Sequence, residues 1–179
     1  MCSRRTLRRG RGVKSMRVEQ VMTRNVSVCS RDDNLNRAAQ LMWENDCGAI
    51  PVISADGDGA VIGFLTDRDI CMAAYTQGRP LSEIPVAIAM ARKVICCRVG
   101  DDLKQVELLM RENRVRRLPV TDTYGRLQGI VSINDLAREA ERERLESNKE
   151  TMSIAVAETL AEICRPRAAR EISEAPKAV

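Results

Sequence analysis

Apolar residues in this chain fall into short runs and spaced stripes, and the same order of runs and stripes occurs twice. Residues 26–29 (VSVC) and 94–97 (VICC) are brief apolar runs of strand length. Acidic stretches follow, RDDN and GDD, whose aspartates suit the free N–H groups of a helix start. Behind them Leu35, Ala38, Leu41 and Met42 recur at helical spacing, as do Leu103, Val106, Leu109 and Met110. AIPVIS and RLPVTD then read as strands, each closed by a glycine-containing turn, DGDG or TYG. Further apolar strands cover residues 61–65 and 127–131, and a hydroxyl residue, Thr66 or Ser132, opens another helix. The predicted unit is β-α-β-β-α. Pro51 and Pro119 are expected at strand starts, where a missing N–H costs little.

The repetition is visible residue by residue. At an offset of 68, thirteen of the thirty-six positions from Met22 to Gly57 are identical, among them Leu35/Leu103, Met42/Met110 and Pro51/Pro119. Two extra residues in ADGDGA change the offset to 66, which aligns GFLTDRD (residues 63–69) with GIVSIND (residues 129–135). The period is too long for a solenoid and marks a domain-sized duplication. The expected organisation is a disordered basic tail over 1–15, a first unit over 16–76, a linker over 77–86 and a second unit over 87–143. A helical extension over 144–165 and a flexible tail over 166–179 complete it. In the extension Met152, Val156, Leu160 and Ile163 form an apolar stripe, suited to packing on the domain or on a second copy.

Composition narrows the chemistry. At 44% hydrophobic the chain of 179 residues has ample core, built with almost no aromatics: Trp43, Phe64, Tyr75 and Tyr124 are all it has. There is no histidine, which removes the commonest general base and every Ser-His or Cys-His dyad. The seven cysteines form no C-x-x-C pair, so no metal site is expected and the thiols read as buried and reduced. No apolar run is long enough to span a membrane, and no apolar segment follows the N-terminal arginines as in a signal peptide. The expected location is therefore cytoplasmic. The net charge of +4 is concentrated in MCSRRTLRRGRGVKSMR, a block that reads as a solvated tail or a nucleic-acid contact. No aromatic residues interleave there to stack on bases, so nucleic acid is the weaker reading. A start of translation at Met16 is a further reading of the same stretch.

VEQVMTRNVSV, AAQLMWENDCGAIPVI and GFLTDRDI in the first copy resemble a CBS domain, the module named after cystathionine β-synthase. In the second copy the resemblance rests on LKQVELLMRENRVRRLPVTD and GIVSINDL, and together it covers residues 18–140. It implies an α/β (α+β) fold of two β-α-β-β-α units packed as a pseudo-twofold disc, with the C-terminal helix added. It also implies regulation rather than catalysis, with an adenine ligand such as AMP, ADP or ATP in a cleft between the units. No other cofactor is required, a homodimer is expected, and the regulated protein partner is unknown.

Residue by residue, the resemblance implies that Asp135 and Asp69 grip ribose hydroxyls, with Ser132 and Thr66 near the phosphates. Taken alone, Thr66-x-x-Asp69 and Ser132-x-x-Asp135 are capping boxes. A carboxylate accepting from two cis hydroxyls is sound chemistry, and a helix N-terminus suits anions. Arg116-Arg117 precede Leu-Pro-Val in the second copy where the first has Gly48-Ala49. Arginine is the side chain best shaped for phosphate, which makes the cleft of Ser132, Asp135, Arg117, Arg116 and Ile130 the better site. Met22, Ser27, Cys47, Gly48 and Ala49 are expected across it, near the base. The cleft of Thr66 and Asp69 lacks its own arginine. The alternatives are a dimerising scaffold that binds no nucleotide, or a nucleic-acid-associated protein acting through the basic N-terminus.

Overall fold

The computed structural model describes residues 16–147 and 150–165. The expected tails over 1–15 and 166–179, with Cys2, lie outside the described residues. Two units of the expected order follow one another. The first runs β1 (Cys29–Ser30), α1 (Leu35–Glu44), β2 (Ala49–Ile53), β3 (Val61–Thr66), α2 (Asp67–Gln77). A short α3 (Val86–Ala89) leads into the second unit. That unit runs β4 (Cys97–Arg98), α4 (Leu103–Asn113), β5 (Arg117–Thr121), β6 (Leu127–Ser132), α5 (Ile133–Ser147), and α6 (Thr151–Ile163) is the last element of the described residues. Each unit has a three-stranded sheet with a parallel first pair and an antiparallel second pair, and the two sheets have the same strand order and register pattern.

The leading strands are shorter than their apolar runs, two residues each. Both prolines sit at the middle of their strand, not at its start. The hydrogen-bond pattern explains why this is tolerated. Pro51 lies opposite Phe64, whose N–H and C=O turn away from β2 and bond Ala91 at 3.0 and 2.9 Å. Pro119 lies opposite Ile130, which bonds Thr23 in the same way at 2.9 Å each. The proline nitrogen therefore points away from the antiparallel partner, toward a first strand that pairs only from the next residue on.

The same bonds define an internal twofold. The segment before each unit crosses to the other unit's sheet: Val18 and Met22 join the second core, while Ile84 and Val86 join the first. Residues 77–86 are thus more than a linker, since Ile84 is completely buried. Val18 N donates to Asp101 O at 3.0 Å, and its counterpart Val86 N donates to Asp33 O at 2.7 Å. Gly63 and Gly129 admit this crossing. A Cβ on Gly129 would lie 2.6 Å from the Thr23 carbonyl oxygen, and one on Gly63 would lie 2.5 Å from Met90 Sδ. That is the reason the repeated phrase begins with glycine.

The C-terminal stripe packs inside the chain. Val156 and Thr159 are buried against α4 and α5, with Met152 and Ile163 beside them. Leu160, expected on this stripe, is 42% exposed, because the covered face follows 152, 156, 159 and 163. Of the two packings expected for this stripe, on the domain or on a second copy, the chain uses the first. Cys29 and Cys97 are buried as expected, but Cys71 and Cys164 are exposed. Among the described residues no group of three metal-ligating side chains comes together, and no helix is long and apolar enough to cross a membrane.

Candidate functional site

Crossing of residues 23–27 over β6 leaves a cleft between the units. Its volume is about 340 Å³, at the low end of the roughly 300–1,000 Å³ typical of small-molecule sites. Ser27 lies on the crossing segment, Cys47, Gly48 and Ala49 on the corner between α1 and β2, and Arg117 at the start of β5. Ile130 and Ser132 come from β6, and Asp135 from the first turn of α5. Eight of the twelve residues expected at the site thus share one cleft.

The other four do not. Met22 is buried in the second core, its Sδ packed where a Cβ of Gly129 would be. Arg116 turns outward and donates from Nη2 to Cys164 Sγ at 3.7 Å, in a neighbouring groove that shares Arg117 and Ser132. Thr66 and Asp69 belong to the other unit and lie outside this cleft. The structure also adds residues that sequence reasoning missed: Thr23, Asn25, Asn45, Asp46, Asn134 and Arg138. Arg138 was within reach of that reasoning, because it stands three residues after Asp135, one helical turn along the same face.

Both copies of the phrase form the capping box. Thr66 N donates to Asp69 Oδ2 at 2.9 Å and Asp69 N to Thr66 Oγ1 at 3.2 Å; the Ser132/Asp135 distances are 2.7 and 3.3 Å. The hydroxyls also donate to the same carboxylate oxygens, at 2.7 Å from Thr66 and 2.6 Å from Ser132. Here the copies part. Arg138 Nη2 donates to the remaining oxygen of Asp135, which is 5% exposed, while the Arg138 side chain is itself 74% exposed in the cleft. Asp135 thus presents a carboxylate that is capped on one oxygen and charge-paired on the other. The position matching Arg138 in the first unit is Met72.

Arg117 is placed by the sheet, directly opposite Ser132 in the β5–β6 register. Gly48 of the first unit faces it. A Cβ there would crowd Asp67, lying 2.8 Å from its Oδ2, and would meet Arg117 Nη2 at an ordinary contact distance of 3.6 Å. Asp46 adopts a left-handed φ of 47°, which turns the chain sharply out of α1 and lets the Cys47 N–H reach Met42 O at 2.9 Å. The result is a polar cleft with a small-residue wall, a capped carboxylate and two arginines. It brings one carboxylate and two guanidinium groups to a single small-walled space.

A duplicated unit paired about an internal twofold, with a cleft between the copies, defines a tandem pair module. The CBS domain family matches residues 18–75 and 81–142, and the chain belongs to that family. CBS domain pairs are regulatory, non-catalytic modules. The chain is 36% identical over 120 residues to the CBS domain-containing protein YhcV of Bacillus subtilis strain 168, covering 67% of this chain and 82% of the relative. Among solved structures, CBSX2 in complex with AMP superposes with a TM-score of 0.62 at 25% identity, covering 72% of this chain and 98% of that one. The CBS domain pair of MJ0100, in complex with methylthioadenosine and S-adenosyl-L-methionine, has the same fold at a TM-score of 0.65 and 21% identity, over 72% and 98% of the two chains.

Proposed function

We propose that this protein senses an adenine nucleotide in the cleft built around Asp135 and Arg117, and passes its presence to a protein partner. The observation that carries the reading is the convergence of three kinds of group in one cleft. Ser27, Gly48 and Ala49 leave a small-walled slot for the base, Asp135 becomes an acceptor for ribose as Arg138 turns from it to phosphate, and Arg117 supplies a second cation. The α5 N-terminus at Ser132 adds a partial positive charge on the same side. CBSX2 was solved with AMP and the MJ0100 pair with adenosine-containing ligands, which supports an adenosine class of ligand here. The two arginines favour AMP, ADP or ATP over phosphate-free adenosine compounds.

Thermal unfolding with AMP, ADP, ATP, S-adenosylmethionine and methylthioadenosine tests this. A nucleotide at a hundred times its dissociation constant adds about 2.7 kcal/mol of stability. The expected result is an upward shift with a phosphorylated ligand and a smaller one with the others. No shift with any of the five at millimolar concentration overturns the reading and leaves a scaffold that binds no nucleotide.

A further inference from the structure

The cleft does not end at Arg117 and Ser132. Those two residues and Asn134 also wall a second cavity of about 290 Å³, which Arg116, Ile133 and Leu160 complete. Its far wall is α6, through Leu160. That helix lies beyond residues 18–75 and 81–142, the part of the chain that the CBS family accounts for. A groove with this wall therefore belongs to the chain's own C-terminal extension. In the first unit the positions matching Arg116 and Arg117 are Gly48 and Ala49, which bring no cation.

The groove holds two guanidinium groups and no carboxylate. Among the described residues the half-buried Arg117 makes no ion pair and its side chain donates no hydrogen bond. Arg116 donates only to the Cys164 thiol at 3.7 Å, a weak acceptor. The carboxylates nearest in the chain are engaged elsewhere. Glu162 pairs with Arg114 and Arg165, and Asp135 with Arg138. Two cations facing one space repel each other, and an anion between them reverses the sign of that interaction. The Ser132 hydroxyl and the exposed Asn134 amide stand beside them. Leu160, 42% exposed and off the packed stripe of α6, keeps water from one side and so strengthens the field felt by an anion.

We propose that this groove takes the terminal phosphates of a nucleoside di- or triphosphate whose base and ribose lie in the cleft. The inference rests on the reading of the cleft as an adenine-nucleotide site and adds the number of phosphates to it. Arg117, which walls both cavities, holds the phosphate next to the ribose. Arg116 leaves the Cys164 thiol for the phosphate beyond. A monophosphate ends at Arg117 and leaves Arg116 on the last turn of α6. Di- and triphosphates reach α6, so this helix is the element that registers how many phosphates the ligand carries.

The test is calorimetric titration of AMP, ADP and ATP, without added divalent cation, into the full chain, Arg116→Ala and Leu160→Glu. Both substituted side chains are exposed, and melting temperatures check that the fold survives. The wild-type chain should bind ADP on the order of tenfold more tightly than AMP, and ATP at least as tightly as ADP. Arg116→Ala removes the second cation, and Leu160→Glu sets a carboxylate on the α6 wall. Each should abolish the advantage of ADP and ATP while changing AMP affinity by no more than about twofold. AMP bound as tightly as ADP by the wild-type chain, or an advantage that survives either substitution, overturns the inference and leaves the nucleotide cleft standing. Binding of none of the three overturns both.

Discussion

The two units share a strand order, a helix order, a crossing segment and a capping box, yet they differ wherever a ligand or a helix can meet them. Asp135 is covered by Arg138 and stands in a cleft with Arg117; the matching Asp69 is followed by Met72. Ser27, Cys47 and Ile130 of that cleft correspond to Ile95, Val115 and Phe64, which are bulkier or less polar. Among the described residues the helical face of the second unit is covered by α6, and that of the first exposes Trp43 and Tyr75. Thirteen identities across thirty-six aligned positions maintain the framework, while the replaced residues divide the work. Among the described residues the cleft thus takes its capped carboxylate from the second unit of one duplicated fold, and a groove beside Trp43 lies in the first.

Replacing Asp135 with alanine is the largest expected break in this asymmetry. A hydrogen bond to a charged group contributes about 1.5–3 kcal/mol, so nucleotide affinity should fall roughly ten- to a hundredfold, read by calorimetric titration. Asp69→Ala removes the matching cap and should leave affinity within about twofold. Each variant loses a capping carboxylate worth about 1 kcal/mol, so similar melting temperatures confirm that the comparison is fair.

Alanine at the two glycines should separate the units by stability alone. At Gly129 the added methyl meets a backbone carbonyl that cannot move aside, and a loss of about 1–3 kcal/mol is expected in urea unfolding. At Gly63 it meets the flexible end of Met90, which can turn away, so the loss should be smaller.

Arg138→Met gives the second unit the first unit's residue. Because the side chain is largely exposed, its ion pair is worth at most about 1 kcal/mol, and AMP affinity should drop roughly fivefold. Adenosine without phosphate should bind no worse, since Asp135 is freed for ribose. Equal losses for both ligands would mean that Arg138 only holds Asp135 in place.

The smallest effect should be the same in both units. Burial, then the nearby Asp33, pushes the Cys29 thiol up to about 12; burial, then Asp101 and Cys96, does so for Cys97. Both ordinary values are 9.0, so below pH 9 folded and unfolded chains alike hold these protons and the contribution is complete. As pH rises from 9 toward 12 the unfolded chain releases them first, and stability falls. Cys29→Ala and Cys97→Ala should flatten that slope by similar amounts in melting curves recorded under reducing conditions.

Much of this was legible in the sequence because duplication supplies an internal check. Helix faces, turns and the two capping boxes follow from spacing seen twice, and the glycine–arginine contrast before Leu-Pro-Val pointed to the cleft. What was not legible depended on the crossing. Nothing local to Met22 or Ile84 says that each packs against the other unit's sheet, and so Met22 was expected at the ligand and Ile84 in a linker. Pro51 and Pro119 were expected at strand starts because the side on which a strand lacks a partner is a property of the sheet. Arg116 and Arg117 alternate faces on an extended chain, which only the register with Ser132 resolves. Asp46 and Asn45 reach the cleft through a left-handed turn that no periodicity encodes.

Calorimetric titration of AMP into the wild-type protein, Asp69→Ala and Asp135→Ala is the most direct measurement of the central claim. The account predicts one site per chain, unchanged in stoichiometry by Asp69→Ala and lost or weakened at least about tenfold by Asp135→Ala. Two sites of equal affinity, each removed by one substitution, would contradict it, as would binding to which neither aspartate contributes.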